Sequence, residues 1–165
     1  MGKEFNTGDV DGLFAGTPPL EALRLILSRT ATTSKGEGYK SIMINDVSRA
    51  FFEAPMQAGR HLCIELPEED LTAEDRKRDM VGYLNQSLYG TRDAAANFQK
   101  EVTIFMMRCG FKPGKYNPCT FYHRPRGLRT LVHGDDFVTS GQREGCDWFK
   151  KQLETRFSIK TKMLG

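Results

Sequence analysis

Bilayer-length apolar runs, a secretory leader and paired cysteines are all missing from this 165-residue chain. No apolar stretch approaches the roughly 20 residues a membrane helix needs. The opening Met1-Gly2-Lys3-Glu4-Phe5-Asn6 is too polar for a signal peptide. The expected setting is therefore cytoplasmic or nuclear, not secreted and without a membrane. Cys63, Cys109, Cys119 and Cys146 are scattered with no C-x-x-C pair, and 18.7 kDa is large enough to fold without disulfide staples. They read as reduced and mostly buried. His61, His123 and His133 lack zinc-ligand spacing. There is no G-x-S-x-G elbow, no phosphate-cradling G-x-x-x-x-G-K-[ST] loop and no internal repeat. Asp9-Val10-Asp11-Gly12 starts like a calcium loop but lacks the remaining ligands, so it reads as a turn. Asn85-Gln86-Ser87 matches a glycosylation sequon, which has no meaning without a leader.

What is present suits one packed domain. The hydrophobic share is 39% and the charged share 27%, enough for a core beneath a polar surface. Net charge is +3, and it is unevenly spread. Residues 1–80 carry 10 Lys/Arg against 14 Asp/Glu; residues 81–165 carry 14 against 7. Within 92–129 eight basic residues face only Asp93 and Glu101. A segregated positive half attracts polyanions. A solvated helix face with a basic turn would give the same count.

Along the chain, residues 1–16 read as a loose arm and 17–165 as the folded unit. Thr17-Pro18-Pro19 opens a helix, with Thr17 as its cap and Leu20, Leu23, Ile26 and Leu27 on one face. Thr30 to Gly38 is a loop, with Gly36 and Gly38 in a Ser/Gly linker. Ser41–Ile44 is a buried strand running into Asn45-Asp46. Leu62–Leu66 and Met80–Leu84 are further strands, separated by a charged loop over Pro67–Asp79. A turn containing Gly90 precedes a helix over Arg92–Cys109, stopped by Gly110. Cys119–His123 and Leu128–His133 form a hairpin around Arg124-Pro125-Arg126-Gly127. Gly134-Asp135-Asp136 turns into Phe137–Ser140 as a second hairpin. A helix over Gln142–Arg156 and a strand over Phe157–Lys160 follow. The expected class is α+β: an antiparallel sheet with helices packed on one face.

Three carboxylates carry the chemistry. Asp46 follows an apolar strand, and Asp135-Asp136 sit at a hairpin tip 89 residues later. An Asp-Asp turn alone is weak evidence, since aspartate is a common turn residue. If the strand of Asp46 lies beside that hairpin, all three acids converge and their repulsion raises at least one pKa. Two Mg²⁺ ions would remove that cost, and a metal pair is the usual arrangement for in-line displacement at phosphorus.

Asp46-Val47-Ser48-Arg49-Ala50-Phe51 resembles the D-V-x-x-A-F motif of reverse transcriptases of copia-type retrotransposons. Ser87-Leu88-Tyr89-Gly90, followed by Ala94, Ala95 and Phe98, is similar to that family's S-L-Y-G-L-K-Q-A-P-R-x-W segment. His133-Gly134-Asp135-Asp136-Phe137-Val138 resembles its Y-V-D-D motif, and Asn117-Pro118-Cys119-Thr120-Phe121-Tyr122 the stretch between them. Phe14-Ala15-Gly16-Thr17 and Phe157–Gly165 resemble F-A-P-V and F-x-M-K-D-L-G, so the likeness spans about residues 13–165. The chain departs from the pattern in lacking the proline near Ala96, in Phe98 for tryptophan, and in His133-Gly134 before the acids.

The resemblance implies a polymerase palm with part of the fingers and no thumb, truncated at both ends. It implies template-directed DNA synthesis by an RNA-directed DNA polymerase domain of a retroelement. Asp46, Asp135 and Asp136 would be catalytic. They would hold two Mg²⁺, with Mn²⁺ able to substitute and the Val47 carbonyl as an extra ligand. The backbone N–H groups of Val47, Ser48, Arg49, Ala50 and Phe51 would hold triphosphate oxygens. Phe51 would lie under the sugar and exclude a 2′-hydroxyl, with Phe52 as the core member of the pair. Gly90 would let the backbone approach the incoming base. Arg92, Lys100, Lys112, Lys115, Arg124 and Arg126 would meet nucleic-acid phosphates.

The implied partners are a primer on an RNA or DNA template, deoxynucleoside triphosphates, and the rest of a Pol polyprotein with its fingers, thumb, RNase H and integrase. A chain without those parts is expected to bind nucleic acid weakly and polymerise poorly. Two other functions fit less of the sequence: a non-catalytic retroelement fragment with residual nucleic-acid binding, and a metal-dependent phosphohydrolase. The second lacks a general base and any further His/Asp ligand cluster.

Overall fold

The computed structural model describes residues 15–32 and 38–165. The arm over 1–14, with its Asp9–Gly12 turn and Phe14, and the linker glycine Gly36 lie outside the described residues. The elements in chain order are α1 (Leu20–Ala31), β1 (Ser41–Val47), β2 (Cys63–Glu65), α2 (Ala73–Arg78), β3 (Val81–Tyr83), α3 (Ala94–Arg108), β4 (Lys112–Pro113), β5 (Thr120–His123), β6 (Leu128–His133), β7 (Asp136–Gly141), α4 (Arg143–Glu154) and β8 (Ile159–Leu164). The fold is α+β. Six strands form an antiparallel sheet in the order β4-β5-β6-β7-β1-β8, and β2 and β3 make a separate two-stranded hairpin.

Strand alternation divides the large sheet into two faces. On one, Met43 and Val47 of β1, Phe137 of β7, Leu128 and Val132 of β6 and Phe121 of β5 are buried. Phe98, Val102 and Met106 of α3 and Cys146, Phe149 and Leu153 of α4 cover them, with Phe157 between. Each such side chain contributes about 1.5–3 kcal/mol on burial. Among polar groups on this face Thr130 bonds Thr139 at 3.0 Å and Asn45 Nδ2 donates to Thr161 Oγ1 at 2.8 Å, while the buried Asn45 Oδ1 has no partner among the described residues.

The other face carries Ile42, Ile44, Asp46, Asp136, Val138 and Ser140. α1 packs over part of it, beside β1, β6 and β7, and its Thr30 donates its hydroxyl to Ser140 Oγ at 2.6 Å. Helices on one face alone is therefore corrected to α3 and α4 on one side and α1 on the other. The face of α1 marked by Leu20, Leu23, Ile26 and Leu27 buries only Ile26; Leu20 and Leu27 are exposed. An apolar pattern shows that a helix packs, not against which face.

Smaller differences have local causes. Pro19, not Thr17, is the N-terminal cap of α1, and no side chain bonds to that end. The charged segment 67–79 contains α2, which Thr72 and Asp75 cap reciprocally; its charges suit an exposed helix, so it has no buried stripe to reveal it. The hairpin turn after β5 is a short 3-10 turn, Arg124–Arg126. The last strand runs on to Leu164 because β1 pairs with it over six residues. Ala15 and Gly16 are not loose: the Gly16 N–H donates to Gln99 Oε1, and its carbonyl accepts from Cys119 Sγ. Among the described residues no helix is long and apolar enough to cross a membrane.

His123 gives this face a pH dependence. It is 7% exposed, flanked by Phe111 and Trp148, and its Nδ1 accepts the Arg126 N–H at 3.3 Å. Burial and the Arg126 guanidinium hold its pKa below 6.5. The neutral ring is favoured in the fold, so this contribution is complete above about pH 6.5. It is lost as pH falls through the lower folded value. Thermal unfolding between pH 8 and 5 should show the decline, and His123→Gln should flatten it. An equal decline in the variant would assign the effect elsewhere.

Candidate metal centre

Asp46 is the penultimate residue of β1, which Ile42, Ile44 and the buried Met43 and Val47 hold in the sheet, leaving its carboxylate at the rim. Asp46 pairs directly with Asp136 across β1 and β7. His133 pairs with Asp136 across β6 and β7, so Gly134-Asp135 is a two-residue hairpin loop. Gly134 has φ 60 at the first loop position, where the tight hairpin turn calls for glycine. The Val47 N–H donates to the Asp135 carbonyl at 2.9 Å and ties this loop to the end of β1.

The result is a cluster in which carboxylate oxygens of Asp46, Asp135 and Asp136 all lie within 4.8 Å of one another. Asp46 is half-buried and the other two are exposed. The Asp136 carboxyl is pushed above its usual value by burial first, then by the charges of Asp135 and Asp46, while His133 opposes the shift. Among the described residues no lysine or arginine forms an ion pair with any of the three. Converging hard oxygens with uncompensated charge fit a divalent cation, and the two exposed carboxylates leave room for water and a phosphate around it.

The segment after β1 turns sharply. Arg49 is exposed with φ 56, in the left-handed region, and starts the 3-10 turn Ala50–Glu53. Phe52 donates the first bond of that turn, to Arg49 O at 3.0 Å, so the amides of Arg49, Ala50 and Phe51 have no partner inside it. The expectation of five free amides is corrected. Val47 N–H is spent on Asp135, and Ser48 N–H on the Ser158 carbonyl at 2.8 Å. Val47 is 1% exposed as a whole residue, backbone included.

Phe52 is not the core member of the phenylalanine pair. Phe51 packs on the core, 4.4 Å from the Tyr89 ring and 6.3 Å from Phe98, whereas Phe52 is 44% exposed. A 3-10 turn rotates successive side chains by about a third of a turn, which α-helical or strand periodicity does not anticipate. Phe51 also lines a cavity of about 60 Å³ together with Gly134, directly behind the acid loop. Gly90 has φ 98 in the loop whose Tyr89 ring contacts Phe51 and Phe52. An open cleft of about 580 Å³ lies between Ser48, Arg49, Phe52, Glu53 and Ser158.

The basic residues do not form one patch at the acids. Arg124 and Arg126 sit at the Leu128 end of β6, some five residues or roughly 17 Å along the strand from His133. Arg126 lies 4.4 Å over the Trp148 ring on the α4 side. Lys112 pairs with Tyr122 near the same distal end. Lys115 lies beyond Pro113 in the loop returning to β5, on the acid side, beside Tyr116. Lys100 is exposed on α3 and Arg92 is half-buried just before it.

One cation beside the acids went unread. Lys160 of β8 pairs directly with Asp46, on the side away from Asp136. Alternation over Phe157–Lys160 was visible, but nothing local told which strand it would join. Set against protein-family models, curated proteins and solved structures, the chain has no match.

Proposed function

We propose that this chain is the palm portion of an RNA-directed DNA polymerase of the retroelement type, acting by two-metal nucleotidyl transfer. The observation that carries the reading is the convergence of Asp46, Asp135 and Asp136 within 4.8 Å, from a strand end and a two-residue hairpin loop. The motif order along the chain agrees with it. Phosphoryl transfer needs positioning and charge stabilisation, not a covalent intermediate.

Asp46 and Asp135 would hold two Mg²⁺ or Mn²⁺, assisted by Asp136 and the Val47 carbonyl. Such ions supply activation of a primer hydroxyl and neutralisation of triphosphate charge. The chain's own part is positioning. The Val47–Asp135 bond fixes the acid loop against β1, and the amides of Arg49, Ala50 and Phe51 remain to donate to phosphate oxygens. Tyr89 buttresses Phe51 where a sugar would rest. The partners are a primer on an RNA or DNA template, deoxynucleoside triphosphates and the remaining parts of a Pol polyprotein.

Primer extension on an RNA template with Mg²⁺ or Mn²⁺, by this chain joined to the remaining polymerase parts, tests the reading. Calorimetric titration of each metal is a second readout. Extension that depends on the metal supports it. Cation binding without extension under any metal would leave a nucleic-acid-binding fragment and overturn catalysis.

Phe51→Ala is expected to raise ribonucleotide incorporation relative to deoxyribonucleotide, because shrinking the ring opens volume beneath the sugar. The competing result is an unchanged ratio with a lower unfolding midpoint. That would make Phe51 a packing residue only, consistent with its contacts to Tyr89 and Phe98.

A further inference from the structure

α1 packs beside β1, β6 and β7 on the acid-bearing face, which leaves β4 and β5 outboard of it. A row across the strands shows what occupies that ground. Lys112 pairs with Tyr122, Tyr122 with Arg129 and Arg129 with Ser140, so all four project to one side. Ser140 bonds Thr30, which makes it the side of α1. Between this row and the helix lies a cavity of about 460 Å³, a size that suits a small molecule. Its helical wall includes Leu25, Ile26 and Arg29.

Apolar surface and positive charge meet in this cavity. Leu25 lines it and is still 61% exposed, so the wall has apolar area left to cover. Arg129 lies 4.8 Å over the Tyr122 ring. Stacking of that kind fixes a guanidinium by its face and leaves its N–H edge to donate. Arg29 and Lys112 add two exposed cations, and no carboxylate is among the lining residues.

We propose that the cavity binds a small monocarboxylate with an apolar body. The body would lie against Leu25 and Ile26, and the carboxylate would take the donor edge of Arg129, with Arg29 and Lys112 at the rim. The cations alone would suit any anion, but a bare phosphate would leave the apolar wall wet. A bound acid would also tie α1, which buries only Ile26 of its own, to β5 and β6. Arg129 lies four residues, or roughly 13 Å, along β6 from His133, so this site is apart from the metal centre. It does not rest on the polymerase reading.

The test titrates the 165-residue chain with decanoate and with decanol, the same body without the charge, by calorimetry below the micelle concentration. One decanoate per chain is expected, with decanol about tenfold weaker or more, since a charge-assisted hydrogen bond is lost. Arg129→Gln should bring decanoate to the level of decanol, and Leu25→Asn should weaken both. Circular dichroism shows whether each variant folds. If Arg129→Gln does not, Arg29→Gln alters an exposed side chain and should narrow the same preference.

Equal affinity for the two ligands, binding of neither, or a preference untouched by the arginine variants would overturn the proposal. Displacement of decanoate by a nucleic-acid duplex would also overturn it and give the cavity to a polynucleotide. Loss of decanoate binding on dimerisation at high protein concentration would give it instead to a second copy of the chain.

Discussion

In a chain that carries the remaining polymerase parts, Asp135→Asn and Asp46→Asn are expected to reduce primer extension by about a thousandfold or more and to leave the metal-free fold at least as stable as wild type. Each substitution removes one full charge from a set that must hold two dications. Electrostatic stabilisation lost at such a site amounts to several kcal/mol, and every 1.36 kcal/mol is about tenfold in rate. The stability expectation follows from the Asp136 carboxyl, held above its usual value partly by these two neighbours. A carboxyl whose folded pKa is raised weakens the fold once it ionises. The weakening is absent below the unfolded value of 3.8 and complete above the folded one. Neutralising a neighbour relieves it.

Unfolding midpoints with and without Mg²⁺ or Mn²⁺ read the same site a second way. The wild type should rise with metal and the variants should not. Extension at the wild-type rate by either variant would end the two-metal assignment. Loss of fold would show that the acids are structural.

Removing either half of the Arg60–Asp93 pair is expected to cost about 3–5 kcal/mol, the range for breaking a buried ion pair. The Asp93 side chain is fully buried and Arg60 Nη1 lies 3.3 Å from its Oδ2. The same oxygen accepts from Asn97 Nδ2 at 3.0 Å, which also donates to Ser87 Oγ. Ser87 in turn donates its N–H to the Ala54 carbonyl at 2.8 Å. The cluster therefore joins the end of the 3-10 turn, the loop before α3 and the first turn of that helix, where negative charge is favoured. Among the described residues Asp93 Oδ1 has no hydrogen-bond partner, so little else there compensates the charge.

Arg60→Met takes the guanidinium from the buried carboxylate, and Asp93→Leu takes the carboxylate from the guanidinium. The double variant should recover most of the loss, since a well-packed apolar pair often replaces a buried ion pair at little cost. Urea unfolding of the four proteins measures it. Against a usual total of about 5–15 kcal/mol, either single variant would be marginal. Single losses under 1 kcal/mol would show that solvent already screens the pair.

The acid cluster was legible because its causes are local. An apolar run ending in Asp46 and a two-residue loop between apolar strands each fix one carboxylate at a sheet rim. Only their adjacency needed the fold. Lys160 was illegible for the complementary reason: its place beside the acids depends on β8 pairing with β1, across more than a hundred residues of chain. The basic cluster of 92–129 shows the same limit, since neighbours in sequence reach opposite ends of the sheet. α2 escaped because a helix with no buried face leaves only its caps to find. That Phe51, not Phe52, packs on the core came from a 3-10 turn whose period is neither of the two that patterning assumes.

The strand order has a temporal meaning. Among the described strands β1 is made first, yet both its neighbours in the sheet, β7 and β8, come from residues 136–164. While the chain emerges from the ribosome, Ile42, Met43 and Ile44 must wait unpaired until Val138, Thr139 and Ser140 have been made. Long-range antiparallel pairing of this kind is slow and exposes sticky segments during synthesis. Pausing or truncation before Leu164 would thus leave β1 with one open edge. Translation stopped before residue 136 would leave it with two, and such nascent chains should be the ones that chaperones hold and proteases clear.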